Sequence, residues 1–438
     1  GLSLIFIIYG KIQLFPKIDK ILILGNNCII MILEGKIMRL IERPDYLEQL
    51  ENVKGTPDIK VITGIRRSGK SKLLEMFIQK IVKIEEEANI IHINYNDDEY
   101  EELLEYHALL DYVKKKYING KDNYLFIDEV QMCDGFEKAI NSLHSSEKYD
   151  IYITGSNAFL LSSDLATLFT GRTFEIEVYP FSFKELIQYY DEMHENIDEI
   201  KLFEQYLSYG GFPGLLNYEN EEKEKYLYDL YSTIVLNDIL YKNKVKDLDL
   251  LERLMEFMIS NIGQLFSANS ISKYIKNENR KTTPHTIINY MDYARNAFIF
   301  YQIKRENIKQ KRKLLISDKY YLVDSGFYFI FNGSTQRNWG QLLENIVFLE
   351  LIRQGYSITI GKIQDLEVDF VCRKANQIKY IQVSQSILDE NTRKREFKSL
   401  EKISDSYPKY VISMDSFDFS ANGIIHLNII DFLKSENF

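Results

Sequence analysis

Residues 64–71 read GIRRSGKS, which matches the phosphate-binding pattern G-x-x-x-x-G-K-[ST] at every fixed position. Gly64 and Gly69 allow the tight turn that aims backbone N–H groups at a phosphate. Lys70 supplies a compact cation for the β- and γ-phosphates, and the Ser71 hydroxyl is a ligand for Mg²⁺. The stretch therefore predicts a loop that binds a nucleoside triphosphate.

The sequence on either side of this loop supports that prediction. The apolar, β-branched run 59–63 favours a buried strand, and apolar residues three and four apart over 71–83 indicate an amphipathic helix. A strand, a glycine-rich loop and a helix in this order place phosphates at a helix N-terminus. The predicted nucleotide-binding residues are Gly64, Arg66, Arg67, Ser68, Gly69, Lys70, Ser71 and Lys72.

A second predicted strand, residues 124–128, ends in two carboxylates, Asp128 and Glu129. Near a phosphate-binding loop, Asp128 together with Ser71 is expected to hold Mg²⁺, directly or through water. Glu129 is then placed to polarise the attacking water as a general base. The alternative is a strand that merely ends in solvated acids.

Two further positions follow the same logic. Ser156 and Asn157 come after a predicted strand. We expect one of them either to position the lytic water or sense the γ-phosphate, or to cap the next helix as a turn residue. Arg172 follows a glycine and is a candidate for stabilising charge on the transferring phosphoryl group. Alternatively, Arg172 is a surface residue or pairs with Glu175 or Glu177. The predicted catalytic residues are Lys70, Glu129, Asn157 and Arg172.

Taken together, these motifs resemble those of prokaryotic AAA+-type ATPases that carry a C-terminal domain of unknown function. The resemblance extends from Met38 onward, and residues 210–213 (GGFP) and 321–326 (YLVDSG) are similar to landmarks of that C-terminal domain. It implies a parallel sheet, ATP as the nucleotide, and an arginine that acts within its own subunit or across an interface. The motifs that carry it are residues 64–71, Asp128-Glu129, Gly155-Ser156-Asn157 and Gly171-Arg172.

Bulk properties limit the possible classes of protein. The 438 residues are enough for two or three domains, and a net charge of −10 argues against a chain that coats nucleic acid. Cys28, Cys133 and Cys372 are far apart, and the six histidines form no pair with metal-ligand spacing. These features argue against a disulfide framework and favour a reducing cytoplasm.

The N-terminal stretch 1–37 is apolar but is interrupted by charges such as Lys11, so no apolar run reaches the roughly 18 residues of a membrane span. The chain begins at Gly1, and Met31 or Met38 would be a natural start. We expect residues 1–37 to be a non-native or disordered extension. A membrane anchor is the alternative.

Between Ser270 and Lys319 the chain carries twelve Lys or Arg against four Asp or Glu. Two predicted helices, two predicted strands and the basic connection 304–312 suggest a winged helix. This basic region, 270–319, predicts DNA binding, and the alternative is a winged helix used for packing or for contact with a protein partner. The candidate DNA contacts are His285, Arg295, Lys309, Lys311 and Arg312.

The C-terminal segment resembles the restriction-endonuclease-like fold, in which a helix Glu, a strand Asp and an E-x-K strand form a Mg²⁺ site. Glu344 and Asp369 match the first two positions, but Gln382 and Ser384 stand where the carboxylate and the lysine belong. An amide supplies no negative charge for a hard cation, and a serine supplies no cation for a phosphate. The resemblance therefore predicts a nuclease-like region that has lost cleavage.

Strands that alternate with helices indicate an α/β fold in which a parallel P-loop sheet has helices on both faces. The leading hypothesis is a Mg²⁺-dependent ATPase whose hydrolysis rearranges its C-terminal region. The alternatives are a nucleotide-gated switch or scaffold and a DNA-processing nuclease, and the oligomeric state stays open. The predicted segments are an extension (1–37), an ATPase domain (38–182), a helical lid or linker (183–250), a winged-helix-like domain (251–335) and a nuclease-like domain (336–438).

Overall fold

The computed structural model describes backbone and side chains over most of the chain from Ile41 onward, and only strand backbones before it. The described residues from 41 onward are 41–158, 169, 171–193, 197–277, 282–314, 317–333, 338–435 and 438. Among these residues, no helix has both the length and the apolar character needed to cross a lipid bilayer.

The N-terminal stretch contains five short antiparallel strands. They are β1 (Ile7–Ile8), β2 (Lys11–Ile12), β3 (Lys20–Gly25), β4 (Cys28–Leu33) and β5 (Lys36–Ile41). The first two pair with each other, and β4 pairs with both β3 and β5. That residues 1–37 are a non-native or disordered extension stays a prediction.

The next strands form one parallel sheet, which confirms the predicted P-loop fold class. They are β6 (Ile59–Thr63), β7 (Asn89–Asn94), β8 (Asn123–Asp128), β9 (Asp150–Gly155) and β10 (Thr173–Glu177). Their order across the sheet is β10-β6-β9-β8-β7, and every neighbouring pair is parallel. The residues that follow β6, β8 and β9 therefore meet at one edge of the sheet, the carboxyl edge.

Helices cover both faces of this sheet, because its central strands are apolar on both sides. They are α1 (Pro44–Val53), α2 (Lys70–Ile84), α3 (Tyr106–Lys116) and α4 (Phe136–Ser145). On one face, Leu50 and Phe77 pack with Tyr152. On the other face, Leu109 and Ile140 lie in a separate core. Short 3₁₀ helices lie at Asp98–Leu103 and Val130–Met132.

A helical region follows the sheet. It contains α5 (Phe183–Glu192), α6 (Glu199–Tyr209), a 3₁₀ helix (Pro213–Asn217), α7 (Asn220–Thr233), a π-helical segment (Ile234–Tyr241) and α8 (Leu248–Ser260). The π-helical segment continues directly from α7. Segments of this kind are rare and are frequent at functional sites.

The predicted pair of helices and pair of strands is present in the basic region. The elements are β11 (Leu265–Phe266), α9 (Ala268–Asn277), α10 (Pro284–Asn296), β12 (Phe300–Ile303), β13 (Arg305–Asn307), β14 (Arg312–Lys313) and β15 (Asp318–Leu322). In the smaller sheet, β15 pairs antiparallel with β11 and β12. The winged-helix assignment itself stays an interpretation.

The C-terminal region is built on a seven-stranded sheet. Its elements are α11 (Gly326–Asn332), α12 (Trp339–Arg353), β16 (Ser357–Ile363), β17 (Leu366–Lys374), β18 (Gln377–Val383), α13 (Glu390–Glu401), β19 (Lys409–Ser413), β20 (Ile424–Asn428) and α14 (Ile429–Lys434). The strand order is β14-β13-β16-β17-β18-β19-β20. The basic connection 304–312 was expected to join two strands as a wing. Instead, its strand β13 pairs in parallel with β16 and belongs to this sheet.

One apolar core extends through most of the region after the ATPase sheet, and a smaller second core includes residues of α13. Residues as distant in sequence as Phe203, Leu254, Leu322 and Phe370 belong to the same buried cluster. Helix α12 is buried from Gln341 to Leu351 on almost all sides. The predicted boundaries at 250 and 335 therefore do not coincide with a break in the hydrophobic core, although as domain limits they stay predictions.

Candidate nucleotide-binding site

The phosphate-binding loop, residues 64–71, joins β6 to α2 and has the backbone that its glycines allow. Gly64 has φ 136° and Gly69 has φ 101°, values that residues with a side chain rarely adopt. A Cβ on Gly64 would lie 2.2 Å from the carbonyl oxygen of Val178, so only glycine fits there. Arg67 also has positive φ, 67°.

Lys70 begins helix α2 and is buried beneath the loop. Its Nζ donates hydrogen bonds to the carbonyl oxygens of Gly64 (2.8 Å) and Ile65 (3.0 Å). Burial lowers the pKa of Lys70 from its ordinary value, while the nearby Glu129 and Asp128 carboxylates oppose that shift. The ammonium is thus held inside the turn, on the side where acidic groups converge.

Asp128 ends β8 at the carboxyl edge and is almost fully buried. Its carboxylate accepts hydrogen bonds from the hydroxyls of Thr154 and Ser71. Burial raises the pKa of Asp128 above its ordinary value, and the two hydroxyls oppose this by favouring the charged form. Two of the oxygens expected to hold a divalent cation, those of Ser71 and Asp128, are therefore in contact.

Glu129, the next residue, adopts a left-handed backbone with φ 55°. Its N–H donates to Thr154 Oγ1 at 3.0 Å, and its carboxylate accepts hydrogen bonds from Gln131 and from Ser156 Oγ (3.1 Å). A non-glycine residue in this region is strained, and such strain is concentrated at functional sites. The neighbouring polar groups fix the direction of the carboxylate.

The residues present fit a triphosphate and a hard cation. The Oγ atoms of Thr63 and Ser68 are buried and have no hydrogen-bond partner in the described part of the chain. Buried polar atoms without partners are uncommon and suggest that a bound group or water satisfies them. Hydroxyl and carboxylate oxygens, here from Ser71 and Asp128, are the ligands that Mg²⁺ prefers.

Two arginines connect the phosphate-binding loop to elements that are distant from it in sequence. Arg43 lies in contact with both the loop and α5. Its Nη1 donates to the Ser68 carbonyl oxygen (3.2 Å), and its guanidinium also meets the Glu185 carboxylate at 2.6 and 3.0 Å. Arg66 of the loop makes a bidentate pair with Asp238 of the π-helical segment, at 2.8 and 3.0 Å. The loop is thus tied to elements on both sides of it.

The other predicted site residues fall in different places. Asn157 is buried just beyond β9, at the same edge as Asp128. The Lys72 ammonium pairs with Glu75 on α2 (2.7 Å), so its side chain is engaged on the helix rather than with the loop. Of the remaining predicted nucleotide-binding residues, Lys70 and Ser71 begin α2, and the others lie in the turn between β6 and α2.

Arg172 lies at the wrong edge of the sheet to act on the nucleotide of its own chain. It precedes β10, and its carbonyl oxygen accepts from the N–H of Ile59 at the start of β6. The loop follows the other end of β6, which spans five residues, so roughly 17 Å of strand separates the two edges. The side chain is exposed. The structure therefore does not bring Arg172 to the loop of its own chain, and its action across an interface stays a prediction.

Three contributors to the site were not predicted from the sequence. Thr154 bridges Asp128 and the Glu129 backbone, and its place inside β9 gave the only available signal. Arg43 and Asp238 are far from the loop in sequence, and no spacing pattern connects either to residues 64–71. Such contacts depend on the tertiary fold.

A second charged cluster lies in the nuclease-like region. The Lys319 ammonium, from β15, is 2.8 Å from Glu344, 2.8 Å from Glu367 and 3.9 Å from Asp369. Burial alone would lower the pKa of Lys319, but these carboxylates raise it above its ordinary value. Gln382 binds Glu396 at 3.0 Å instead of completing the cluster. Glu344 and Asp369 do meet as predicted, but a lysine of the chain lies between them.

Comparison with known proteins assigns the family. Residues 56–187 match the model described as AAA domain, and residues 200–338 match a domain of unknown function, DUF8612. An uncharacterized protein of Haemophilus influenzae is 39% identical over 400 residues, which cover 90% of this chain and 98% of that protein. The chain belongs to this family of AAA+-type P-loop ATPases with a C-terminal domain of unknown function.

Other similar proteins are more distant from this AAA+-type chain. The uncharacterized protein MJ1544 of Methanocaldococcus jannaschii is 30% identical over 364 residues, 78% of each chain. AMPPCP-bound DnaA from Aquifex aeolicus is 20% identical, with a TM-score of 0.28, and covers 49% of this chain and 68% of its own. The Aeropyrum pernix ORC1 protein in complex with DNA is 12% identical, with a TM-score of 0.29. The match covers 68% of this chain and 94% of that protein. Scores of this size establish no shared overall fold.

Proposed function

We propose that this AAA+-type protein binds ATP with Mg²⁺ at residues 64–71 and hydrolyses it, and that hydrolysis rearranges its C-terminal region. The observation that carries the proposal is the meeting of Lys70, Asp128 and Glu129 at the carboxyl edge of one parallel sheet. A cation, a metal-ligating carboxylate and a second carboxylate next to it are the groups that phosphoryl transfer to water requires.

Each side chain has a role in this proposal. Lys70 leaves the loop carbonyls to meet the β- and γ-phosphates, while the loop N–H groups bind phosphate oxygens. Ser71 and Asp128 hold Mg²⁺, which supplies positive charge against the phosphate oxygens. Glu129 accepts a proton from the attacking water, and Asn157 orients that water. Because Arg172 lies at the opposite edge, its proposed role requires a neighbouring subunit.

The proposed coupling to the C-terminal region is supported by contacts between the loop and the segment 210–213. A Cβ on Gly69 would lie 3.8 Å from Pro213 Cγ, so this ring packs beside the loop. The N–H of Gly211 donates to the buried Asp324 carboxylate at 2.8 Å, and that carboxylate also accepts from Gly326 N–H at 2.9 Å. A shift of the loop would therefore act on the stretch 321–326.

DNA is the proposed partner of the basic region, with a protein partner as the alternative. Of the predicted contacts, His285 is exposed at the start of α10, and Arg295 pairs with Asp292 at 2.7 Å. Lys309, Lys311 and Arg312 are exposed around strand β14. We do not propose cleavage, because Lys319 occupies the space among the carboxylates where a metal would be needed. A cytoplasmic location without membrane contact also belongs to the proposal, and Cys133 and Cys372 are free thiols.

Multiple-turnover phosphate release from purified full-length protein, with ATP and Mg²⁺, tests the proposal. Glu129→Gln should retain ATP but slow turnover by about 10²–10⁴, because the carboxylate that accepts the proton is gone. Lys80→Ala, which alters a lysine farther along α2 that pairs with Glu51 at the surface, is the control and should keep most activity. Full activity in Glu129→Gln would show that the base is misassigned. Negligible turnover by the wild type with tight ATP binding would favour the switch instead.

A further inference from the structure

A large groove lies at the edge of the seven-stranded sheet, beside strands β13 and β14. Its volume is about 830 Å³, and it extends from Gln302 of β12 to Tyr407 in the loop before β19. This volume is near the upper end of the range for sites that bind one small molecule. The groove is therefore large enough for an extended ligand.

The rim of this groove, which we call the basic groove, is strongly positive. Its five lysines are all exposed, and none of their ammonium groups makes an ion pair or hydrogen bond within the described residues. They are Lys304, Lys309, Lys311, Lys313 and Lys402. In a chain with a net charge of −10, five unpaired cations around one groove form a local site for an anion.

The acidic residues of the basic groove do not cancel this charge. Glu306 is buried and pairs with Arg373 at 2.5 Å. Asp405 accepts a hydrogen bond from the Tyr380 hydroxyl at 2.6 Å and another from the Tyr407 N–H at 3.2 Å. Arg373 neutralises Glu306, whereas Asp405 is held by neutral donors and keeps one negative charge, so the five lysines leave the groove positive overall.

The floor of the groove is apolar. Its walls include isoleucines from the sheet and from the end of α13, namely Ile308, Ile358, Ile363, Ile378 and Ile403. Tyr407 is 40% exposed at one end. A ligand that suits this groove has anionic groups for the rim and flat apolar groups for the floor.

The groove is held in shape by the sheet. The backbone of β13 pairs in parallel with β16, and the Ile308 N–H donates to the Lys362 carbonyl oxygen at 3.0 Å. The Arg373 guanidinium ties β17 to β13 through Glu306 and also donates to Thr359 at 3.2 Å. The paired strands fix the backbone at Lys304 and Lys313, so binding has to order only their side chains.

We propose that the basic groove binds single-stranded nucleic acid, with phosphates along the lysines and bases against the apolar floor and Tyr407. A single strand exposes its base faces, whereas a duplex keeps them stacked inside and offers mainly phosphates. The inference deepens the proposed nucleic-acid partner of this region by locating its site and stating its strand type. It does not depend on ATP hydrolysis.

Fluorescence anisotropy with a labelled oligo-dT of about 20 nucleotides tests the proposal on the full chain without ATP. The variant Lys304→Ala/Lys313→Ala/Lys402→Ala should bind at least about ten-fold more weakly at moderate salt. Its slope of log K against log salt should be shallower by about 2, since each lost phosphate contact removes roughly 0.7. The matched control is Lys83→Ala/Lys114→Ala/Lys115→Ala, which removes three exposed lysines from the ATPase domain and should bind like wild type.

Additional variants and competitors in the same binding assay distinguish the proposal from its alternatives. The triple Lys→Arg variant at positions 304, 313 and 402 should keep binding, which separates lost charge from a folding defect. No binding by wild type, equal loss in both triple-alanine variants, tighter binding of a duplex of equal length, or equal competition by polyglutamate would each overturn the proposal. Failure of the ATPase proposal would appear in phosphate release and not in this nucleotide-free measurement.

Discussion

Thr154 connects the two carboxylates that the mechanism depends on. Its hydroxyl donates to Asp128 and accepts from the Glu129 N–H, so it orients both groups although it is not expected to touch the nucleotide. Residues in this supporting position typically change activity by 10- to 100-fold when they are altered. The geometry of the site therefore depends on a residue that matches no motif.

Thr154→Val should lower kcat by about 10- to 100-fold, because valine has the same shape but leaves Asp128 and the Glu129 N–H without this partner. Steady-state phosphate release measures the effect. Thr154→Ser keeps the hydroxyl and should retain most of the activity. Full activity in Thr154→Val together with a loss in Thr154→Ser would indicate that the methyl group, not the hydrogen bonds, is what matters.

Lys70, Asp128 and Arg172 show how far the positions of single residues can be predicted from the sequence. The motifs were enough to predict where Lys70 and Asp128 lie. Lys70 belongs to the phosphate-binding loop itself, and Asp128 is the last residue of a predicted strand. Arg172 was placed in the site because an arginine near such a loop is chemically suitable. Its position just before β10, however, puts it at the amino edge of a parallel strand. The orientation of that strand was the missing piece of information.

Near the phosphate-binding loop, a charged side chain that is almost fully buried, Arg43, connects neighbouring elements. Arg43, which is 3% exposed, precedes α1, contacts the Ser68 carbonyl and forms a two-point pair with Glu185 of α5. Its guanidinium also lies 4.4 Å from the centre of the Tyr46 ring. Removing one partner of a buried pair costs more than removing both, because a lone buried charge remains.

Arg43→Ala should lower the free energy of unfolding by about 3 kcal/mol, because the Glu185 carboxylate, only 16% exposed, keeps the Ser182 N–H but loses its charged partner. Urea denaturation followed by circular dichroism measures it. The double variant Arg43→Met/Glu185→Met should be less destabilised than either single variant. A double variant whose loss equals the sum of the single losses would show that the pair does not act as a unit.

For the elements after the ATPase sheet, the sequence predicted which segments are helices and strands but not which strands pair or which elements are in contact. The paired helices and strands of the basic region follow from apolar periodicity and turn residues. The pairing of β13 with β16 joins residues more than fifty positions apart and follows from no local pattern. The helical lid was likewise expected, but its Asp238–Arg66 contact depends on how the chain folds back.

The described part of the molecule consists of a parallel sheet with two cores of its own and a C-terminal region with a large shared core and a smaller one that includes residues of α13. The segments 210–213 and 321–326 meet through Asp324, which is buried. Burial raises the pKa of Asp324 to about 7, while the N–H groups of Gly211 and Gly326 oppose that rise. The Asp324 carboxyl group therefore binds its proton more tightly in the folded chain than in the unfolded chain.

The stability of the protein should depend on pH through this residue. In the unfolded chain Asp ionises near pH 4, so between about pH 4 and 7 the folded state binds the extra proton. Unfolding then becomes easier as pH rises through this window, by roughly 4 kcal/mol at most. The melting temperature of wild type should fall from pH 5 to 8 more steeply than that of Asp324→Asn, as measured by calorimetry. Parallel profiles would contradict the assignment.

The central claim is that a nucleoside triphosphate with its magnesium ion binds where residues 64–71 meet Asp128. Titration calorimetry of the full chain with a non-hydrolysable ATP analogue, with and without Mg²⁺, tests it most directly. We predict one site per chain whose affinity requires Mg²⁺ and is lost in Lys70→Ala. A folded wild-type protein that shows no magnesium-dependent uptake of nucleotide would contradict the account.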